Sequence, residues 1–145
     1  MVGEMTDQSL ASGAEMQFLP APDYQPGVCN IGPAEIRRRR MTGHVGLAAA
    51  LALLAMLVAA SAPDVLRLLV IPPAAVSASG YLQARLRFCA NYGWRGIFNV
   101  GEIRDDVRVT DRRAVAADRR KAQRIGLGSL AIGLVAGIVA VVLPI

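Results

Sequence analysis

Apolar residues in this chain come in long unbroken runs, not in the spaced stripes of a helix that is half in water. His44–Ala62 (HVGLAAALALLAMLVAASA) and Ile125–Leu143 (IGLGSLAIGLVAGIVAVVL) hold no Asp, Glu, Lys or Arg. Each is about 19 residues long, and about 20 are needed to cross a hydrocarbon core of about 30 Å. A third run, Val65–Leu82, is interrupted by Arg67 and by Pro72-Pro73. The pattern predicts an all-α integral membrane protein with about three transmembrane helices, at 44–62, 65–82 and 125–143.

Local chemistry refines each run. Ser61–Asp64 reads as a turn, with Pro63 and Asp64 opening the next helix. Arg67 lies within a turn of that boundary and is expected to snorkel to the headgroups. Two prolines in mid-span predict a kink whose freed carbonyls Ser77 and Ser79 are available to serve; a re-entrant loop is the other arrangement that fits. Thr110 or Asp111 is a fitting N-cap for the last helix. A helix started there reaches about 33 residues, or roughly 50 Å, its first third in water.

The remainder is polar. Residues 1–28 hold Pro20, Pro22 and Pro26, four acids (Glu4, Asp7, Glu15, Asp23) and no Lys or Arg, so a disordered acidic tail is expected. No apolar stretch follows a basic start there, so it does not read as a signal peptide. Residues 29–145 form a single helical membrane domain, with 83–124 as a cytoplasmic and interfacial segment. Arg37, Arg38, Arg39 and Arg40 precede the first span; eleven basic residues against five acids lie between Arg85 and Arg124. Lys and Arg are enriched on cytoplasmic flanks. Three crossings put both zones on one side, with a cytoplasmic amino terminus and an outer carboxyl terminus. A bacterial inner membrane is the expected location.

Composition agrees: 54% of residues are hydrophobic but only seven are aromatic. Five of those seven fall in YLQARLRFCANYGWRGIF, residues 81–98. Tyr81, Tyr92 and Trp94, interleaved with Arg85, Arg87 and Arg95, read as an interfacial belt on lipid. Docking to a partner protein fits the same residues. A nucleic-acid surface is not expected beside a membrane span.

Ser129, Gly133 and Gly137, each four apart, put small residues on one face of the last span. Their partner is left open: the first span, a second copy or another subunit. Cys29, His44 and Cys89 fall near the cytoplasmic boundary and can be drawn as a metal or haem site. Scattered structural cysteines and a histidine at a helix start are the simpler reading. No cofactor is expected. The chain has no G-x-x-x-x-G-K-[ST], G-x-S-x-G or H-E-x-x-H, and no predicted span contains a carboxylate for a proton relay.

Asn30, Gly32, Glu35, Arg39 and Gly43, running into the first span, resemble the small inner-membrane domain found alone or fused to rhodanese modules in bacteria. The family's basic residue after the acid is Ile36 here. The resemblance covers about 60 residues from 29 to the end of the second span. It implies a helical hairpin that can dimerise and supplies no catalytic residue. Residues 98–104 (FNVGEIR) also echo the Asn-Ile-Gly…Glu-Ile-Arg wording of 30–37.

The expected function is that of a non-enzymatic accessory or assembly subunit of a larger membrane complex, in contact with lipid and with other subunits or itself. Two alternatives stand beside it: a redox or cofactor protein using His44, Cys29 or Cys89, and a tethered binder of anionic lipid or protein through Arg85–Arg124.

Overall fold

A computed structural model describes residues 24–101 and 105–144. It is mainly helical, and three of its helical stretches are long and apolar enough to cross a membrane: Pro33–Ala59, Asp64–Arg85 and Arg112–Val142.

Helix α1 spans Pro33–Ala59, so it starts eleven positions before His44 and carries the arginine block on its first turns. Pro33 sits in the first turn, where a missing N–H costs nothing, and Glu35 faces the positive end of the dipole. Arginines are good helix formers, so nothing between Pro33 and His44 interrupts the winding. The chain turns at Ser61, in the left-handed region with φ 49°.

The expected mid-span kink is replaced by a junction. Asp64–Val70 winds as a 3₁₀ segment, and helix α2 starts afresh at Ile71 and runs to Arg85. Pro72 and Pro73 therefore lie in a first helical turn, where their fixed φ is an asset and no i−4 bond is lost.

After α2 comes a short helix α3 (Ala90–Arg95), ended by Gly96 at φ 68°. Strands β1 (Ile97–Phe98) and β2 (Val107–Arg108) then pair antiparallel, Ile97 opposite Arg108 and Phe98 opposite Val107. Helix α4 spans Arg112–Val142, 31 residues, about 46 Å long. Asp111 caps it, its carboxylate accepting from the N–H groups of Arg113 (3.1 Å) and Ala114 (3.2 Å).

The long helices form a row in which α1 and α4 both pack on α2. Backbones come closest where side chains vanish. A Cβ on Gly80 of α2 would lie 2.7 Å from both the Arg39 carbonyl oxygen and Gly43 Cα of α1; one on Gly46 would meet Ser77 N at 2.6 Å. Ser77 Oγ donates to Gly43 O across the same contact, at 2.9 Å. On the other flank, Cβ atoms on Gly133 and Gly137 of α4 would meet Ala75 and Ile71. The Ser129–Gly133–Gly137 face thus packs on the second apolar segment, α2 with its 3₁₀ lead.

Arg67 points inward. It is 6% exposed and donates from Nη1 to the carbonyls of Ala140 (3.2 Å) and Leu143 (3.1 Å), while Nη2 pairs with Asp64 at 2.9 Å. The expected snorkel is overturned because the carbonyl end of α4, with its partial negative charge, lies within reach.

Candidate functional site

At the end of the row that carries Arg37–Arg40, the segment 24–32, α3, the β1–β2 pair and the first turns of α4 fold into a compact polar module. Tyr24–Val28 belongs to it, which corrects the expected tail boundary at 28; residues 1–23 lie outside the described residues. Tyr24 stacks on Phe98, with centroids 4.4 Å apart and planes 11° apart. Its hydroxyl donates to Asp118 Oδ2 at 2.8 Å, and the Gly27 N–H donates to Asp118 Oδ1 at 2.6 Å. Gly27 has φ 68°, and a Cβ there would press within 3.3 Å of Ala117, so a turn closing this tightly on α4 needs glycine. Asp118 is fully buried, and desolvation pushes its carboxyl above 3.8, against the lowering effect of the two donors.

Asn30 supplies the second clasp. Its Nδ2 donates to Cys89 O (3.1 Å) and its Oδ1 accepts from Cys89 N (2.7 Å), so one side chain serves both backbone groups of Cys89. Ile31 pairs with Asn99 in a parallel bridge, and Asn99 Nδ2 reaches Asp106 at 3.3 Å. The two echoing segments therefore dock on each other; Glu102–Arg104 lies outside the described residues.

Below this clasp Glu35 is 1% exposed and lies 3.5 Å from both Arg38 and Arg39. One buried carboxylate thus faces two guanidinium groups, Arg39 largely covered and Arg38 with 60% of its side chain in the open.

The structure does not bring the three candidate ligands together as one group. Cys29 is buried with Sγ 3.8 Å from Ile31 O. Cys89 is fully buried against Ile31 and Tyr92, and burial raises its thiol pKa, which makes it a poor nucleophile. His44 is exposed on α1, its Nδ1 2.6 Å from the Tyr81 hydroxyl of α2. Among the described residues no three His, Cys, Asp or Glu side chains are grouped to share a metal ion.

The aromatic segment is largely core. Phe88, Tyr92 and Phe98 are 0%, 8% and 7% exposed, so Tyr92 is corrected from lipid-facing to buried. These rings close the module because α3 folds back on α4. Trp94 is exposed, and Arg119 lies over it at 5.9 Å while donating to its carbonyl. Arg37, Arg38, Arg40, Arg85, Arg87 and Arg95 are exposed.

Two apolar grooves run along the helices. One, about 310 Å³, lies between α1 and α4 over α2. The other, about 470 Å³, is lined by α1 and α2 alone and has Arg38 at its edge.

Sequence reasoning passed over Tyr24, the clasp of Asn30 on Cys89, the buried acceptor Asp118 and the Gly43/Gly46–Ser77/Gly80 crossing. The crossing had a visible signal, two pairs of small residues three apart in facing spans. Pro26-Gly27 was a turn signal for the Tyr24 segment. Comparison with protein-family models, curated proteins and solved structures finds no match to this chain.

Proposed function

We propose that the chain is a small non-enzymatic membrane protein, an accessory or assembly subunit of a larger bacterial inner-membrane complex. In this reading the polar module faces the cytoplasm and the carboxyl terminus lies outside. The observation that carries it is how little of the apolar helices the chain covers by itself. Only 17–28% of each helix's most apolar window is buried. Leu51 and Met56 of α1 and Leu127, Val135 and Ile138 of α4 are all more than half exposed. Lipid and the helices of other subunits are the surfaces that complete such a row. Extraction in mild detergent followed by size analysis tests it. A stoichiometric partner is expected to migrate with the chain; a chain that migrates alone would refute the subunit reading.

A second reading, binding of an anionic partner through Arg85–Arg124, has one observation in its favour. Asp118 is buried and bonded to Tyr24 and Gly27, and among the described residues it makes no direct ion pair with the exposed arginines around it. Steep loss of binding with salt is its signature; salt-insensitive binding would remove it.

A further inference from the structure

The groove of about 470 Å³ between α1 and α2 has a consistent chemistry from end to end. Met41, Val45 and Ala49, four apart on α1, form one wall; Pro73 and Val76 of α2 form the other. It opens beside the point where Gly46 lets α1 close onto the Ser77 backbone. Thr42, also on the groove, donates its hydroxyl to Arg38 O at 3.2 Å, so that polar group is used within the helix. Along the same face, three residues before Met41, stands Arg38.

Arg38 is placed to hold an anion. Its carboxylate neighbour Glu35 is buried, 3.5 Å away, and shared with Arg39. Glu35 is the only acid between Pro33 and Pro63, against four consecutive arginines. The mouth of the groove is therefore net positive while its body is apolar.

We propose that this groove seats an acyl chain of an anionic phospholipid whose phosphate is held by Arg38. The inference rests on the membrane reading above. Its volume falls in the range of about 300–1,000 Å³ typical of small-molecule sites. A neutral lipid or a partner helix would fill the apolar body equally well but would bring no anion to the net-positive mouth. Charge complementarity selects the anionic lipid.

The test supplies the detergent-extracted protein with phosphatidylglycerol and phosphatidylcholine of identical acyl chains and reads retained lipid by native mass spectrometry. Preferential retention of phosphatidylglycerol is expected. Arg38→Gln should cut that preference about fivefold, the worth of one basic residue at a lipid surface. Arg40→Gln, about 200° around the helix from Arg38, should cut it less. Ala49→Phe, which fills the groove from an exposed position, should lower retention of both lipids while helical circular dichroism is kept. Equal retention of the two lipids by the native chain, equal losses in Arg38→Gln and Arg40→Gln, or full retention in Ala49→Phe would each overturn the proposal. A chain that stays in the supernatant of detergent-free membrane preparations would remove the membrane reading itself, an outcome separate from the lipid readouts.

Discussion

Replacing Asp118 by Ala should open the polar module. The carboxylate is fully buried and accepts from Tyr24 Oη at 2.8 Å and Gly27 N at 2.6 Å, residues more than 90 positions away in the chain. Hydrogen bonds to a charged acceptor are worth about 1.5–3 kcal/mol each, and truncation leaves a hydroxyl and an N–H unpaired. Relief of the desolvation that raises the Asp118 pKa offsets part of this loss. A net cost of about 2–4 kcal/mol results, falling on the turn that holds Cys29. Cys29 is 7% exposed, and both Cys29 N and Val28 N donate to Gln25 O within that turn. Maleimide labelling of Cys29, assigned by peptide mass, reads the opening. Where opening equilibrates before labelling, the rate should rise about 30- to 1,000-fold. Asp118→Asn keeps an acceptor for Gly27 and a donor that the Tyr24 oxygen can accept, so it should stay within about 1 kcal/mol of the native chain. Native-rate labelling in Asp118→Ala, or equally fast labelling in both variants, would refute the reasoning.

Four further outcomes follow from the same geometry. Because burial holds the Asp118 carboxyl above 3.8, the folded module binds a proton at pH values where the unfolded chain has released it. Its stability should therefore fall as pH rises from 3.8 through the raised value, and Asp118→Asn should flatten that step in near-ultraviolet circular dichroism melts. Gly80→Ala forces a Cβ against Arg39 O and Gly43 Cα, both at 2.7 Å, and should cost about 1–3 kcal/mol in thermal stability. Gly126→Ala, with nothing within 4 Å of the added atom, should be neutral or mildly stabilising. Arg67→Met removes the donor to Ala140 O and Leu143 O, and hydrogen exchange in the last turn of α4 should accelerate about 5- to 150-fold. Unchanged exchange there would return Arg67 to the role of a surface charge.

The apolar runs, the Asp111 cap, the long final helix and the gathering of basic residues at one end were legible along the chain. Each depends on local properties: a run's length and hydropathy, or a side chain reaching an amide two or three residues on. The start of α1 was misread because charge marks where a membrane begins, whereas helix winding is set by Pro33 and the propensity of the arginines after it. Pro72 and Pro73 were misread because a proline's effect depends on whether its helix has already begun, and here the 3₁₀ segment lets one begin at Ile71.

Tertiary structure alone decided the roles of the polar and aromatic groups. Nothing in the neighbourhood of Asp118, Asn30 or Arg67 distinguishes a solvated side chain from a buried one: apart from the local Arg67–Asp64 pair, the groups they bond to lie 59 to 94 positions away. Tyr92 and Trp94 are two residues apart and share one composition, yet one faces the module's core and the other faces outward. Hydropathy measures the free energy of leaving water and is a property of the residue; which groups meet once they have left water is a property of the packed chain.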